Sequence, residues 1–267
     1  MAIITISRGT YTRGKEIAEK AASELGYECI YRAMLIEASQ QFNIPEVLLV
    51  RALHDAPSVL DRFTHGKERF VAFIENAFLE RVKDGNVVYH GLAGHFFLRG
   101  VQHGLKVRVI ASLEERVRWE VEREGVSPEE ARKLLKRDDF ERRRWALSLY
   151  GIDTRDPVLY DMVLNLSNMS VDCAVEMIVH AARTSCFATT PESERSLNNL
   201  VLASRVKVAI IDAWPEARVT SVDGVVRVDV EATPAEEATV RDEITAVAEK
   251  LPGVGAVRVN TRPKAVP

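Results

Sequence analysis

Residues 3 to 16 constrain the fold more than any other stretch of the chain. An apolar run, Ile3-Ile4-Thr5-Ile6, stops at the polar segment Ser7-Arg8-Gly9-Thr10-Tyr11-Thr12-Arg13-Gly14-Lys15, and the helical pattern Glu16-Ile17-Ala18-Glu19-Lys20-Ala21-Ala22 follows at once. Gly9 to Lys15 fits the G-x-x-x-x-G-K frame, in which backbone N–H groups, a helix N-terminus and a lysine ammonium cradle phosphate. The frame ends in a Ser or Thr that holds Mg²⁺; here that position is Glu16, whose carboxylate repels phosphate. Strand, phosphate loop and helix are thus predicted in the first 25 residues.

The rest of the first 182 residues continues the alternation. Strands are expected at 3–7, 28–31, 86–90, 106–111 and 162–166, several of them continuously apolar as parallel strands covered on both faces are. Between them lie helical patterns. Phe70, Phe73, Ile74, Ala77, Phe78 and Val82 form one amphipathic stripe, read as core. The pattern predicts a doubly wound α/β fold with a parallel five-stranded sheet and a ligand site at the carboxyl ends of its strands. From about 113 to 160 the chain becomes highly charged and helical. Ser127-Pro128-Glu129-Glu130 is a helix start with Ser as N-cap and Glu130 completing a capping box. That region is expected to form a solvated helical hairpin or a mobile cover over the sheet edge, and Trp119 and Trp145 are candidates to pack it onto the body.

Residues 183–196 read as a linker, and 197–267 have a separate grammar. A helix is expected over 197–212, alternating strands over 217–222 and 225–232 joined by Asp223-Gly224, a helix from the Thr233-Pro234-Ala235-Glu236 cap to Leu251, and a strand over 256–262. That is a small α+β unit of αββαβ order.

Composition narrows the function classes. With 46% hydrophobic and 28% charged residues the 267-residue chain can bury one or two sizeable cores, and its net charge of −3 argues against a general nucleic-acid partner. Cys29, Cys173 and Cys186 show no metal-ligand spacing and read as unpaired thiols of a cytoplasmic protein. No signal peptide or membrane-spanning run is expected. His90, His95 and His103 cluster after the third strand, but without a Cys or acidic partner they predict no metal site.

Several segments, in order, resemble the cytidylate kinase-like branch of the P-loop nucleoside monophosphate kinases over residues 1–182. They are Ser7-Arg8 and Gly14-Lys15-Glu16-Ile17-Ala18 around the loop, Asn86-Val87-Val88-Tyr89-His90-Gly91, and Val109-Ile110-Ala111-Ser112-Leu113-Glu114-Glu115-Arg116. Asp139-Phe140-Glu141-Arg142 follows as a D-x-x-R lid motif, and then Leu159-Tyr160-Asp161-Met162-Val163-Leu164-Asn165. That branch itself often has Glu after the basic residue. The resemblance implies ATP as donor with Mg²⁺, and CMP or dCMP as acceptor. It implies donor-nucleotide contacts at Arg8, Thr12, Arg13, Gly14, Lys15 and Glu16, and acceptor contacts at His90 and Gly91. Lys15 is implied as the catalytic phosphate-binding lysine, with Arg116, Arg137 and Arg142 as catalytic lid arginines. The chain departs from the family pattern at Tyr11-Thr12-Arg13 in the loop, at Leu92 where an acceptor-binding arginine is expected, and at Tyr31 where an acidic residue is common. Residues 197–263 resemble the BON domain, a small bacterial ligand-binding module, through Val222-Asp223-Gly224-Val225-Val226-Arg227-Val228 and the segment from Leu251 to Asn260. Two functions are therefore expected: a cytidylate-type kinase, or a kinase-like sensor of a nucleotide or other phosphorylated ligand that acts through its BON-like unit, with a further ligand or protein partner there.

Overall fold

The computed structural model describes residues 2–9, 12–31, 65–91 and 93–263. Departures at Tyr11 and Leu92, and Thr10 in the loop, lie outside the described residues. Five strands form a parallel sheet of order β2-β3-β1-β4-β5: β1 Ile3–Arg8, β2 Glu28–Ile30, β3 Val87–His90, β4 Gly104–Ile110 and β5 Met162–Asn165. In register, Ile6 of β1 lies beside His90 of β3 and Val107 of β4. Successive side chains leave opposite faces of a strand, so β1 divides two cores. Ile4 and Ile6 join Val88, Val107 and Leu164 under helices α1 (Gly14–Leu25) and α6 (Val171–Arg183). Ile3 joins Val87 and Tyr89 under α2 (Gly66–Val82), where Phe70, Ile74 and Phe78 of the apolar stripe are buried as expected. A short α3 (Gly94–Phe97) follows β3.

The charged region forms a helical hairpin, α4 (Leu113–Glu124) and α5 (Pro128–Tyr150). Ser127 and Glu130 make the capping box in both directions, which starts α5 where the sequence expects it. Val117, Ala131 and Leu135 form the hairpin's own small core. Trp145 is buried and meets Phe70 edge-on at 6.4 Å, which fixes the far end of α5 to the body.

The C-terminal strands β6 (Arg218–Val222), β7 (Val225–Ala232) and β8 (Ala256–Pro263) form a second sheet, antiparallel between β6 and β7 and parallel between β7 and β8. Asp223 and Gly224 both have positive φ, 47° and 81°, as the tight hairpin turn requires. Helix α8 (Glu237–Ala248) completes the αββαβ order. Two boundaries differ from expectation. Helix α7 (Pro191–Ile210) starts at Pro191, six residues before Leu197, because Thr190 and Ser193 cap it reciprocally and Pro191 occupies its first turn. In α8, Glu236 instead closes a turn onto Thr233, and the helix begins after it.

Helix α7 belongs to both cores. Its Leu197 and Val201 pack with Phe70 and Phe78, while Leu202, Val206 and Ile210 pack with Val226, Val228 and Ile244. It is bolted to α2 by a buried Asn76–Ser204 hydrogen bond of 3.0 Å and by ion pairs of Arg205 with Glu80 and Arg69 with Asp212. No helix among the described residues is long and apolar enough to cross a membrane.

Candidate functional site

Helix α1 begins without a cap. Its N-cap residue, Arg13, holds the left-handed conformation (φ 55°, ψ 14°) and gives the helix no side-chain hydrogen bond. Helices α4, α5, α6 and α7 by contrast start on Ser112, Ser127, Ser170 and Thr190, each accepting from a first-turn amide. The first turn of a helix has no intrahelical acceptors for its N–H groups. At Gly14, Lys15 and Glu16 those donors have no acceptor among the described residues, and with the positive end of the helix dipole they suit an anion. A non-glycine residue in the left-handed region costs about 1 kcal/mol or more and persists where the surroundings impose it. Here the turn at Arg13 aims the chain from β1 into α1. Gly14 is needed for a second reason: a Cβ there lies 2.8 Å from the Arg8 side chain.

Around this N-terminus lies a cleft of about 690 Å³, lined by Arg8, Arg13, Lys15, Glu16, Glu19, Trp119, Glu120 and Arg123 among others. Lys15 is exposed and loosely paired with Glu19 at 3.6 Å, so its ammonium can turn to a ligand. Thr12 is fully buried and its hydroxyl donates to the Gly9 carbonyl at 3.2 Å; it shapes the loop. The Gly9 N–H is spent on the Val109 carbonyl. Glu16 pairs with Lys20 at 3.4 Å, which partly neutralises the carboxylate near the cradle.

The hairpin supplies the opposite wall. The Arg13 guanidinium lies over Trp119 of α4, 5.3 Å from the ring centroid, and links loop to hairpin. Arg116 is buried and holds Asp139 of α5 through two hydrogen bonds of 3.0 and 2.8 Å from Nη1. Its Nη1 also lies 3.9 Å from where a Cβ on Gly9 would stand, so this arginine reaches the loop. Arg142 is partly buried on α5. Arg137 is exposed, makes an ion pair with its neighbour Asp138 at 3.4 Å and does not line the cleft. The structure thus brings Arg8, Arg13, Lys15, Glu16 and Arg116 together and leaves Arg137 outside. The D-x-x-R pattern contributes first through Asp139, which orients Arg116. Trp119, a candidate to pack the charged region onto the body, does so through Arg13 and also lines the cleft; Arg123 is a cleft residue that the sequence did not single out.

At the edge of β3, His90 is buried and stacks on Tyr31, with ring centroids 5.6 Å apart and planes 13° apart. Burial, then the charges of Arg8 and Lys15, lower its pKa to about 4, so the ring is neutral at pH 7. The Gly91 N–H donates to the Ile6 carbonyl, so Gly91 gives the edge its shape rather than a free donor; a Cβ there would meet the Tyr89 hydroxyl at 2.5 Å. Beneath the other face, the Tyr160 hydroxyl lies 2.9 Å from the Thr154 carbonyl oxygen and 3.2 Å from both Ser7 Oγ and His95 Nε2, and accepts from Arg108 Nη1 at 3.0 Å. This cluster ties the exit of the hairpin to β1 and β4. Burial and the Arg108 charge lower the His95 pKa to about 3.

Sequence comparison gives the same region a lineage. Residues 3–168 match the Cytidylate kinase-like family. The cytidylate kinase of Pyrococcus horikoshii is 30% identical over 185 residues, 67% of this chain and 87% of that protein. That of Pyrobaculum aerophilum is 35% identical over 113 residues, which span 42% of this chain and 60% of the relative. An uncharacterized protein from Eubacterium ventriosum shares the fold with a TM-score of 0.54 at 18% identity, over 68% of this chain and 97% of that one. The family match covers the phosphate loop, the parallel sheet and the helical hairpin, and the chain belongs to the cytidylate kinase-like family.

Proposed function

We propose that the chain is a nucleoside monophosphate kinase that transfers the γ-phosphate of ATP to CMP or dCMP. The observation that carries this reading is the uncapped N-terminus of α1, with Lys15 and Arg8 lining the cleft around it and Arg116 beside Gly9 of the loop. Relatives named cytidylate kinase support cytidylate as the acceptor. The donor set fits a polyphosphate: first-turn amides, a lysine that can turn, and a guanidinium held by Asp139. Mg²⁺, bound with the nucleotide, would supply charge neutralisation at the transferring phosphate. Glu16, at the position where the loop frame holds that ion, would be its protein oxygen ligand, and a carboxylate suits a hard cation.

In this mechanism the residues position and neutralise. Amides of residues 14–16 orient the donor phosphates, and Lys15 balances their charge. Arg116 and Arg142 complete the lid side, with Arg116 preset by Asp139, while Trp119 and Arg13 hold the hairpin over the loop and exclude water. His90 and Gly91 stand at the acceptor edge of β3. Arg137 is assigned a surface role on the lid instead. The expected sensor without catalysis draws no support from the relatives, whose names are those of kinases. For the C-terminal unit we carry forward the BON-like assignment, as a module that binds a ligand or protein partner; its αββαβ order supports that reading. The test is an ADP-release assay with ATP, Mg²⁺ and each common monophosphate. Turnover with CMP or dCMP, lost in Lys15→Ala, is expected; no turnover with any monophosphate rejects the proposal.

A further inference from the structure

His90 poses a problem that the fold does not solve. It is 6% exposed, yet neither ring nitrogen has a hydrogen-bond partner among the described residues. A buried polar side chain of this kind is uncommon, and leaving it unpaired works against folding. His95, four-per-cent exposed and close in sequence, has its partner in Tyr160. The stack on Tyr31 uses the flat ring but not its nitrogens. Its neighbours on the same face of the sheet, Val88 and Ile6, are apolar, and an aliphatic side chain would suit that surface.

Its position says what the nitrogens are for. His90 is the last residue of β3, in register with Ile6, two residues before Arg8 and the start of the loop. It lies close enough to Arg8 and Lys15 to feel both charges. In this loop frame the lysine reaches the β- and γ-phosphates, the far end of the donor. The ring plane is held by the parallel stack on Tyr31, and the edge of the imidazole, with its N–H, has no hydrogen-bond partner among the described residues. A neutral imidazole has one N–H to give and adds no charge to a site already rich in cations.

We propose that His90 is a positioning residue that donates a hydrogen bond to an oxygen of the phosphoryl group in transit between donor and acceptor, with Tyr31 fixing its ring. The inference rests on the kinase reading above and assigns the group that holds the γ-phosphate at the β3 edge. Tyr31, which stacks on this histidine, stands where an acidic residue is common in the family.

The experiment is calorimetry on the full chain with Mg²⁺ and two probes, a non-hydrolysable ATP analogue and ADP, for wild type, His90→Leu and His90→Asn. Thermal melts of each nucleotide-free protein accompany it. His90→Leu is expected to bind the ATP analogue about tenfold more weakly, with ADP affinity changed less than about twofold. It should melt at the same temperature as wild type or higher, since an unpaired buried polar group has been removed. His90→Asn, which keeps an N–H donor, is expected to restore part of the preference for the analogue. Equal weakening of both ligands, or no weakening of either, overturns the role at the transferred phosphate. A lower melting temperature with unchanged discrimination assigns His90 to packing and overturns it as well. If wild-type protein binds neither probe, the kinase reading itself fails, and this role with it.

Discussion

At the residue scale, the site depends on a few side chains whose neighbours are visible. Lys15 is exposed and its pairing with Glu19 is loose, so its removal should leave the fold alone. Lys15→Ala is expected to lower kcat/KM for ATP by about a hundredfold or more while the melting temperature stays within a degree or two, read by steady-state kinetics and calorimetry. Two of the buried histidines, His90 and His95, make the stability of the protein depend on pH. Both have pKa values below that of an unfolded histidine, about 4 for His90 and about 3 for His95. Between pH 6.5 and those values the unfolded chain binds protons that the folded chain refuses, so stability falls as pH falls. Each contributes about 1.4 kcal/mol per pH unit in that window. Melts at pH 7 and pH 5 should show a clear loss of stability at the lower pH. His90→Leu should make that loss smaller, and an unchanged pH dependence would contradict the assignment.

Some of these residues were legible in the sequence and some were not. Gly14 and Lys15 announce themselves by spacing, and the structure gives the reason: Gly14 passes Arg8 too closely for a Cβ. Arg13 reads from the sequence as an obstacle to a phosphate loop. In the fold it takes up the left-handed turn itself and lies over Trp119. That contact joins residues 106 positions apart, and no local pattern encodes it. Arg137 shows the opposite error. One charged helix surface carries several arginines, and only three-dimensional packing tells that Arg116 faces the loop while Arg137 faces solvent.

At the scale of elements, the hairpin of α4 and α5 is the part most open to change. Its private core is small, built on Val117, Ala131 and Leu135, and the Arg116–Asp139 pair is its main polar clamp. Arg116 is buried, so removing its partner leaves a charge poorly compensated. Asp139→Ala is expected to destabilise the protein by about 2 kcal/mol in urea unfolding and to raise the KM for ATP, because Arg116 is then no longer held toward the loop. Loss of stability with an unaltered KM would show that the clamp serves the hairpin alone. The elements themselves were well marked in sequence. Continuous apolar runs gave the parallel strands, and Ser127 with Glu130 fixed the start of α5. The start of α7 was missed because Thr190-Pro191-Glu192-Ser193 is polar and resembles a linker. Its capping box uses Ser193 where Glu or Gln is usual.

At the scale of the whole molecule, α7 makes the two sheets interdependent. Leu197 and Val201 complete the core that contains Phe70, Phe78 and Trp145, and Asn76, Glu80 and Arg69 of α2 are bonded to α7 or to Asp212 just beyond it. A chain cut after Ala188 should therefore lose much of its stability and expose apolar surface, although it keeps every residue of the family match. Dye binding and thermal melts of that truncation would show it; a truncated protein that melts like the full chain would contradict the shared core. The same packing places the C-terminal unit directly on α2, the helix that precedes β3 and His90 in the chain.

The central claim is that the uncapped first turn of α1 holds the donor phosphates. A crystal structure of the chain with ADP and Mg²⁺ tests it most directly. The claim predicts phosphate oxygens at about 3 Å from the amide nitrogens of Gly14, Lys15 and Glu16, with the Lys15 ammonium turned from Glu19 to the nucleotide. A nucleotide bound elsewhere, with that turn still empty, would contradict it.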